Sequence, residues 1–160
     1  MFKIGFGFDT HKLEFNHDLW LGGIFIPHPK GAVGHSDADV LIHAIIDALL
    51  GAAGQRDIGV QFPDHAIEFK GIDSKILLAR TIELIRAEGF VVGNIDATIV
   101  LQSPRISQHI HAMIETLSGV MKTGEEQLSI KVKTSEKLGF IGREEGISAY
   151  AVVLLQREED

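Results

Sequence analysis

An α/β fold of the α+β, ferredoxin-like kind is the fold class that the sequence predicts: a two-layer sandwich with helices on one face of a mixed β-sheet. Three observations carry it. The chain opens in period-two alternation, with Phe2, Ile4, Phe6 and Phe8 set against Lys3, Gly5, Gly7 and Asp9. Two stretches of helical periodicity follow before residue 90. From residue 94 the order is strand, helix, strand, strand, which suits helices layered on one sheet. With 160 residues and 45% hydrophobic content the chain can bury one core, and no repeat, low-complexity tract or linker divides residues 1–160.

Taken in order, residues 2–9 and 19–27 read as strands, the second stopped by Pro27 and Pro29, with residues 10–18 linking them. Gly31 and Gly34 make a flexible approach to a first helix at about 36–53. Ser36 is its expected N-cap, and Asp37 and Asp39 suit its first turn. Residues 54–72 lack periodicity and are expected to form a structured loop. A second helix should run over 74–88, capped by Asp73 or Ser74 and closed by Gly89. Asn94–Leu101 is the next strand, and Ser103-Pro104 the expected cap and first turn of a third helix over 104–121. Residues 129–135 read as a strand, 138–142 as a turn and 146–155 as a closing buried strand.

Charge and composition narrow the function. Fifteen Lys+Arg against 22 Asp+Glu give a formal charge of −7, which argues against nucleic acid as a partner. No apolar run reaches the roughly 20 residues of a membrane span, and Met1-Phe-Lys-Ile-Gly lacks a signal-peptide core, so the expected location is the cytoplasm. Without cysteine, any metal must be held by His, Asp or Glu.

Asp9 and His11 alternate onto one face at a strand end, and His43 sits on the first helix. Two imidazoles and a carboxylate suit zinc or another divalent transition metal with an open fourth position. Asp39 or Asp47, one turn either side of His43, would then take its second ring N–H. The same residues also fit a plain strand end and a hydrogen-bonded core histidine. His35, before the helix, can meet an anion at the helix N-terminus or be an ordinary loop histidine. Glu136, beside Thr134, Ser135, Lys133, Lys137 and Arg143, suits a magnesium-bound diphosphate or a solvated turn of ion pairs.

Together these motifs resemble the 2-C-methyl-D-erythritol 2,4-cyclodiphosphate synthase family over nearly the whole chain. The likeness rests on Gly5-Phe-Gly-Phe-Asp-Thr-His11, Leu21-Gly-Gly23, His35-Ser-Asp-Ala-Asp39 through His43, and Asp47-Ala-Leu-Leu-Gly51. It continues through Asp57-Ile-Gly59, Phe62-Pro-Asp64, Phe69-Lys-Gly-Ile-Asp-Ser74, and Glu136-Lys-Leu-Gly-Phe140 with Gly142-Arg143.

The resemblance implies a homotrimer with active sites between subunits, acting on a phosphorylated cytidine substrate. It puts zinc on Asp9, His11 and His43, and magnesium or manganese on Glu136. His35 and Thr134 match positions that stabilise the transition state. Erythritol-phosphate contacts fall on His35, Ser36, Asp57, Gly59, Phe62 and Asp64, and further substrate contacts on Asp9, Thr10, His11, Ile58, Pro63, His65 and Ala66. The cytidine side falls on Leu101, Gln102, Ser103, Pro104, Arg105, Ile106 and Ser107, and on Lys133, Thr134, Ser135 and Glu136, with Phe140 and Arg143 nearby. Gly142-Arg-Glu-Glu-Gly146 lies where the family lines its threefold axis. The chain departs from the family pattern at Lys133, Arg105 and Ala66-Ile-Glu68.

Overall fold

Five strands form the main sheet of the computed structural model, which describes residues 1–157. Residues 158–160 of the expected single unit lie outside the described residues. Strand β1 (Phe2–Phe15) is longer than the alternation suggested, so most of the expected linker 10–18 is strand. It pairs antiparallel with β7 (Gly146–Arg157), from Phe2↔Gln156 to Lys12↔Gly146. Its far end also pairs with β4 (Lys30–Val33), a short strand that Gly31 and Ala32 conceal because they carry no polar–apolar alternation. On the other side of β7 come β5 (Phe90–Val100), antiparallel to it, and β6 (Leu128–Lys133), parallel to β5. The order is β4-β1-β7-β5-β6. The mixed sheet and helical layer are as expected, and the ferredoxin likeness is one of layers, since the parallel β5–β6 pair is joined by a helical crossover.

The run expected as one strand over 19–27 is instead a hairpin of β2 (Leu19–Leu21) and β3 (Ile24–Ile26). It reverses at Gly22 and Gly23, whose φ of 62° and 75° are positions where glycine escapes the Cβ clash.

Helix α1 (Val40–Ala53) begins later than Ser36 would have it, because Ala38 at φ 57° breaks helical continuity. The N-cap is Asp39, fully buried, whose Oδ1 accepts from the N–H of Ile42 at 3.1 Å and of Gly22 at 3.0 Å, while Oδ2 accepts from Gly23 at 2.7 Å. One carboxylate thus starts the helix and pins the β2–β3 turn. Leu41, Ile42, Ile45, Ile46, Leu49 and Leu50 are all without exposed surface, so α1 is apolar nearly all round and lies between the sheet and α3 (Ser74–Ala87). Its approach to β1 is very close. A Cβ on Gly5 would lie 1.8 Å from the Ala48 carbonyl oxygen, and one on Gly7 1.9 Å from that of Ala44.

The expected loop 54–72 contains α2 (Ile58–Gln61) and a 3₁₀ turn at Ile67–Phe69. Pro104 is not the first turn of a helix: a 3₁₀ turn at Ser107–His109 leads into α4 (Ile110–Met121). The expected turn at 138–142 holds the short α5 (Gly139–Gly142). On the face of the sheet away from α1, Phe2, Ile4, Phe6 and Phe8 stand exposed beside Tyr150 and Val152, with Phe6 63% exposed.

Candidate metal centre and cleft

The close approach of α1 to β1 brings three ligand atoms together. Asp9 and His11 continue the face of β1 on which Gly5 and Gly7 meet α1, and His43 stands just inside the helix. Asp9 Oδ2 is 2.9 Å from His11 Nε2 and 3.0 Å from His43 Nδ1, and the two ring nitrogens are 3.1 Å apart. Tetrahedral zinc with bonds of about 2.0–2.1 Å separates its ligand atoms by about 3.3 Å, so a small opening of this triangle admits the ion. His11 Nδ1 lies 3.1 Å from the Val33 carbonyl oxygen, which can only accept, so Nδ1 donates there and Nε2 is the nitrogen that can turn to a metal. Among the described residues these three form the one His/Asp/Glu group so arranged.

Electrostatics follow from the same contacts. Burial on its own would raise the Asp9 carboxyl, but hydrogen bonds and charge from His11 and His43 outweigh it and hold it well below the ordinary carboxylate range. Burial works to lower His11, yet its hydrogen bond and attraction to Asp9 leave it above its usual value. In the metal-free chain the lowered Asp9 contributes stability that is complete above its unfolded value near 3.9 and is lost as pH falls through its folded one. The raised His11 contributes stability that is complete below about pH 6.5 and is lost as pH rises through its folded value. Thermal unfolding of metal-free wild type and Asp9→Asn is accordingly expected to differ most between about pH 4 and 6.5, with the His11 share of the difference lost at higher pH.

The triad opens into a cleft of about 530 Å³ whose walls include His35, Ser36, Ile58, Gly59, Phe62 and Asp64. His35 Nε2 and Asp64 Oδ2 face each other across its mouth at 4.0 Å. Asp57 does not line it; its Oδ1 accepts from the Val60 N–H at 3.1 Å and so caps the α2 turn that presents Ile58 and Gly59. Pro63, His65 and Ala66 belong to the same connection without lining the cleft. Phe62 is held by an edge-on contact with Phe69, centroids 5.6 Å apart.

Several expected roles change. Ser36 does not cap α1; its hydroxyl lies 3.1 Å from His43 Nε2 and accepts from the Ala38 N–H at 3.2 Å. Neither the Asp39 nor the Asp47 carboxylate hydrogen-bonds the His43 ring. Asp39 is spent on the α1 cap, and Asp47 Oδ1 accepts from the Ile58 N–H at 2.8 Å. The second nitrogen of His43 instead meets Ser74 Oγ at 2.9 Å, a partner that sequence reasoning took only for a possible helix cap.

The residues expected on the cytidine side gather elsewhere. The Leu101 N–H donates to the Lys133 carbonyl at 2.9 Å and the Lys137 N–H to Gln102 Oε1 at 3.0 Å, which joins the connection after β5 to the one after β6. Ser103, Pro104, Arg105, Ile106 and Ser107 lie in that first connection and its 3₁₀ turn, and Thr134, Ser135 and Glu136 in the second. The Thr134 hydroxyl accepts from the Glu136 N–H at 3.2 Å, and Glu136 is exposed. Thr10 and Phe140 line a separate recess on the other side of His11. Arg143 makes a two-point ion pair with Glu145, at 3.0 and 3.1 Å. Thr10, Ser148, Val100 and Lys133 stand in register across four strands, so Lys133 is three strand spacings, about 14 Å, from Thr10.

A mixed sheet bearing an Asp-His-His group able to hold a metal, at the floor of a cleft, defines an α/β protein with a candidate metal centre. Its relatives make that definition particular. The YgbB family profile matches residues 2–156, and the chain belongs to that family. It is 61% identical to the 2-C-methyl-D-erythritol 2,4-cyclodiphosphate synthase of Bacteroides fragilis (strain YCH46), over 97% of this chain and 98% of the relative. The Parabacteroides distasonis protein of that name is 60% identical over 97% of this chain and 96% of its own length. Among solved structures, the CDP complex of IspF from Plasmodium falciparum matches at a TM-score of 0.87 and 36% identity, covering 99% of this chain and 97% of that one. The bifunctional IspDF of Campylobacter jejuni matches at 0.95 and 38% identity over 99% of this chain, which spans 43% of the length of that protein.

Proposed function

We propose that this chain is a 2-C-methyl-D-erythritol 2,4-cyclodiphosphate synthase. It converts 4-diphosphocytidyl-2-C-methyl-D-erythritol 2-phosphate to the cyclic diphosphate and CMP, as a cyclising phosphorus–oxygen lyase of non-mevalonate isoprenoid biosynthesis in the cytoplasm. The observation that carries this reading is the metal-competent triad opening into the cleft, in a chain about 60% identical end to end to proteins of that name. Among the described residues no helix is long and apolar enough to cross a membrane.

In the reaction an oxygen of the 2-phosphate forms a bond to the β-phosphorus while the bond from that phosphorus to the bridging oxygen breaks, and that oxygen leaves with CMP. The nucleophile is already an anion, so no general base is needed; the demand is for orientation and charge stabilisation. A zinc ion held by Asp9, His11 and His43 would supply Lewis-acid stabilisation of phosphate oxygens, with magnesium or manganese at Glu136 as its counterpart on the leaving side. Ser36 and His35 at the cleft mouth bind phosphate, and Thr134 steadies the transferring group. Asp64, with the backbone around Ile58 and Gly59, holds the erythritol hydroxyls. The loops at 101–107 and 133–136 take the cytidine.

We further propose that a single domain of residues 1–160 works as a homotrimer. About 14 Å between the two halves of the site along one sheet is too far for neighbouring phosphates to bridge, which favours a cytidine half donated by a second chain. The exposed Phe2, Ile4, Phe6, Phe8, Tyr150 and Val152 supply an apolar face for such an assembly.

Incubating the zinc- and magnesium-loaded protein with 4-diphosphocytidyl-2-C-methyl-D-erythritol 2-phosphate is expected to yield CMP and the cyclic diphosphate in equal amounts. A ring-opened diphosphate would instead assign a mononuclear zinc hydrolase, in which a metal-bound water is the nucleophile.

A further inference from the structure

A metal held with Asp9 and His11 would use only one nitrogen of His43. The other, Nε2, is turned away from Asp9 and His11 and lies 2.9 Å from Ser74 Oγ. Ser74 is the first residue of α3 and has no exposed surface. Its hydroxyl is not needed to start that helix, because Asp73 Oδ1 already accepts from the Lys75 N–H at 2.9 Å. The Ser74 hydroxyl instead donates to Asp37 Oδ1. Asp37 is anchored in turn, accepting from the Ser74 N–H at 2.9 Å through Oδ2 and from the Asp39 N–H at 3.1 Å through Oδ1.

The direction of this chain of bonds is set by proton count. A hydroxyl has one proton, and here it goes to a carboxylate oxygen that can only accept. Ser74 Oγ can therefore meet His43 Nε2 only as an acceptor, so Nε2 carries the ring proton. Nδ1 is then the nitrogen left to an ion, which would take the place of the hydrogen bond it makes to Asp9 Oδ2 at 3.0 Å in the metal-free chain. Ser36 Oγ, 3.1 Å from the same nitrogen, has no carboxylate to orient it and faces the cleft, where it remains available to a phosphate.

We propose that Asp37 and Ser74 are positioning residues for the metal centre. Asp37 orients the Ser74 hydroxyl, and Ser74 holds His43 in the ring orientation and tautomer that offer Nδ1 to the ion. The inference rests on the reading of Asp9, His11 and His43 as metal ligands. Asp37 and Ser74 also tie the entry of α1 to the first turn of α3, so that both segments would bear on the metal through one imidazole although neither residue is among its ligands.

The test is zinc affinity, measured by chelator competition on wild type, Ser74→Ala, Asp37→Ala and the double variant, with metal-free thermal unfolding of each as the control for folding. Loss of an outer hydrogen-bond partner of a ligating histidine typically costs about 10–100-fold in metal affinity. Ser74→Ala is expected to show that loss and Asp37→Ala a similar one. The double variant should be no weaker than the worse single one, because the two act in series on one ring. In the zinc-loaded wild type the His43 Nε2–H is expected as a slowly exchanging downfield proton, lost in Ser74→Ala. If Asp37→Ala does not fold, Asp37→Asn, which keeps the shape and turns one acceptor into a donor, takes its place with the same expected non-additivity. Unchanged zinc affinity in Ser74→Ala, or losses that simply add in the double variant, overturns the proposal while the ligand assignment stands. Wild-type protein that takes up no zinc overturns the ligand assignment itself, and this proposal with it.

Discussion

Asp9→Asn is expected to lose zinc affinity by more than about 100-fold, beyond the range typical of changes outside the ligand set. Turnover should fall by on the order of 10³-fold, the upper end of what removal of one electrostatic stabiliser costs. The substitution is nearly isosteric, so packing against α1 is preserved, but the negative charge that attracts both imidazoles and the ion is gone. Asp9 Oδ2 is the common vertex of the triangle, 2.9 Å from His11 Nε2 and 3.0 Å from His43 Nδ1. Replacing it removes the one anionic ligand and leaves two neutral ones. Isothermal titration of zinc into the metal-free variant, with CMP release in the same preparation, checks both parts. Wild-type turnover in Asp9→Asn with zinc removed would sink the metal reading.

Gly7→Ala is expected to be the most damaging single methyl addition near the site. The added Cβ would lie 1.9 Å from the Ala44 carbonyl oxygen and 2.6 Å from the Ala48 backbone nitrogen, both part of α1 and unable to rotate away. Overpacking in a tight core usually costs about 1–3 kcal/mol, and a collision with helix backbone belongs above that range. Relief requires α1 to back away from β1. That same movement draws His43 off Asp9 and His11, so zinc affinity should fall together with the unfolding midpoint in denaturant. Phe6→Ala, on the opposite face of the same strand, serves as control and should leave zinc affinity within about threefold of wild type, since single changes off the site rarely exceed half a kcal/mol.

The layers of the fold were legible because they rest on periodicity, which is local. Phe2 to Asp9 alternate, and the stretches that form α1 and α3 repeat at helical spacing, so strand and helix follow without knowledge of partners. β4 and the β2–β3 hairpin escaped because they are short and contain glycine, and their pairing is set by β1 and by the Gly22–Gly23 reversal. The start of α1 was misplaced for a related reason. Ser36 and Asp39 are both good caps, and what selects Asp39 is the pair of N–H groups at Gly22 and Gly23, brought in from another segment.

The candidate ligands were readable because metal chemistry restricts residue types, and in a cysteine-free chain an Asp-x-His on a strand with a histidine on the next helix is a short list. The orientation of those ligands was not readable. His43 was expected to lean on Asp39 or Asp47, one helical turn away, and it leans on Ser74, 31 residues away, which is oriented by Asp37. Residue types along the chain are enough for the fold class and for a candidate ligand set. The closeness of α1 to β1 at Gly5 and Gly7, the tautomers of His11 and His43, and the separation of the two halves of the site belong to the tertiary structure. Each depends on groups that only folding brings together, since a hydrogen bond acts over about 3 Å and carries no trace in the spacing of the sequence.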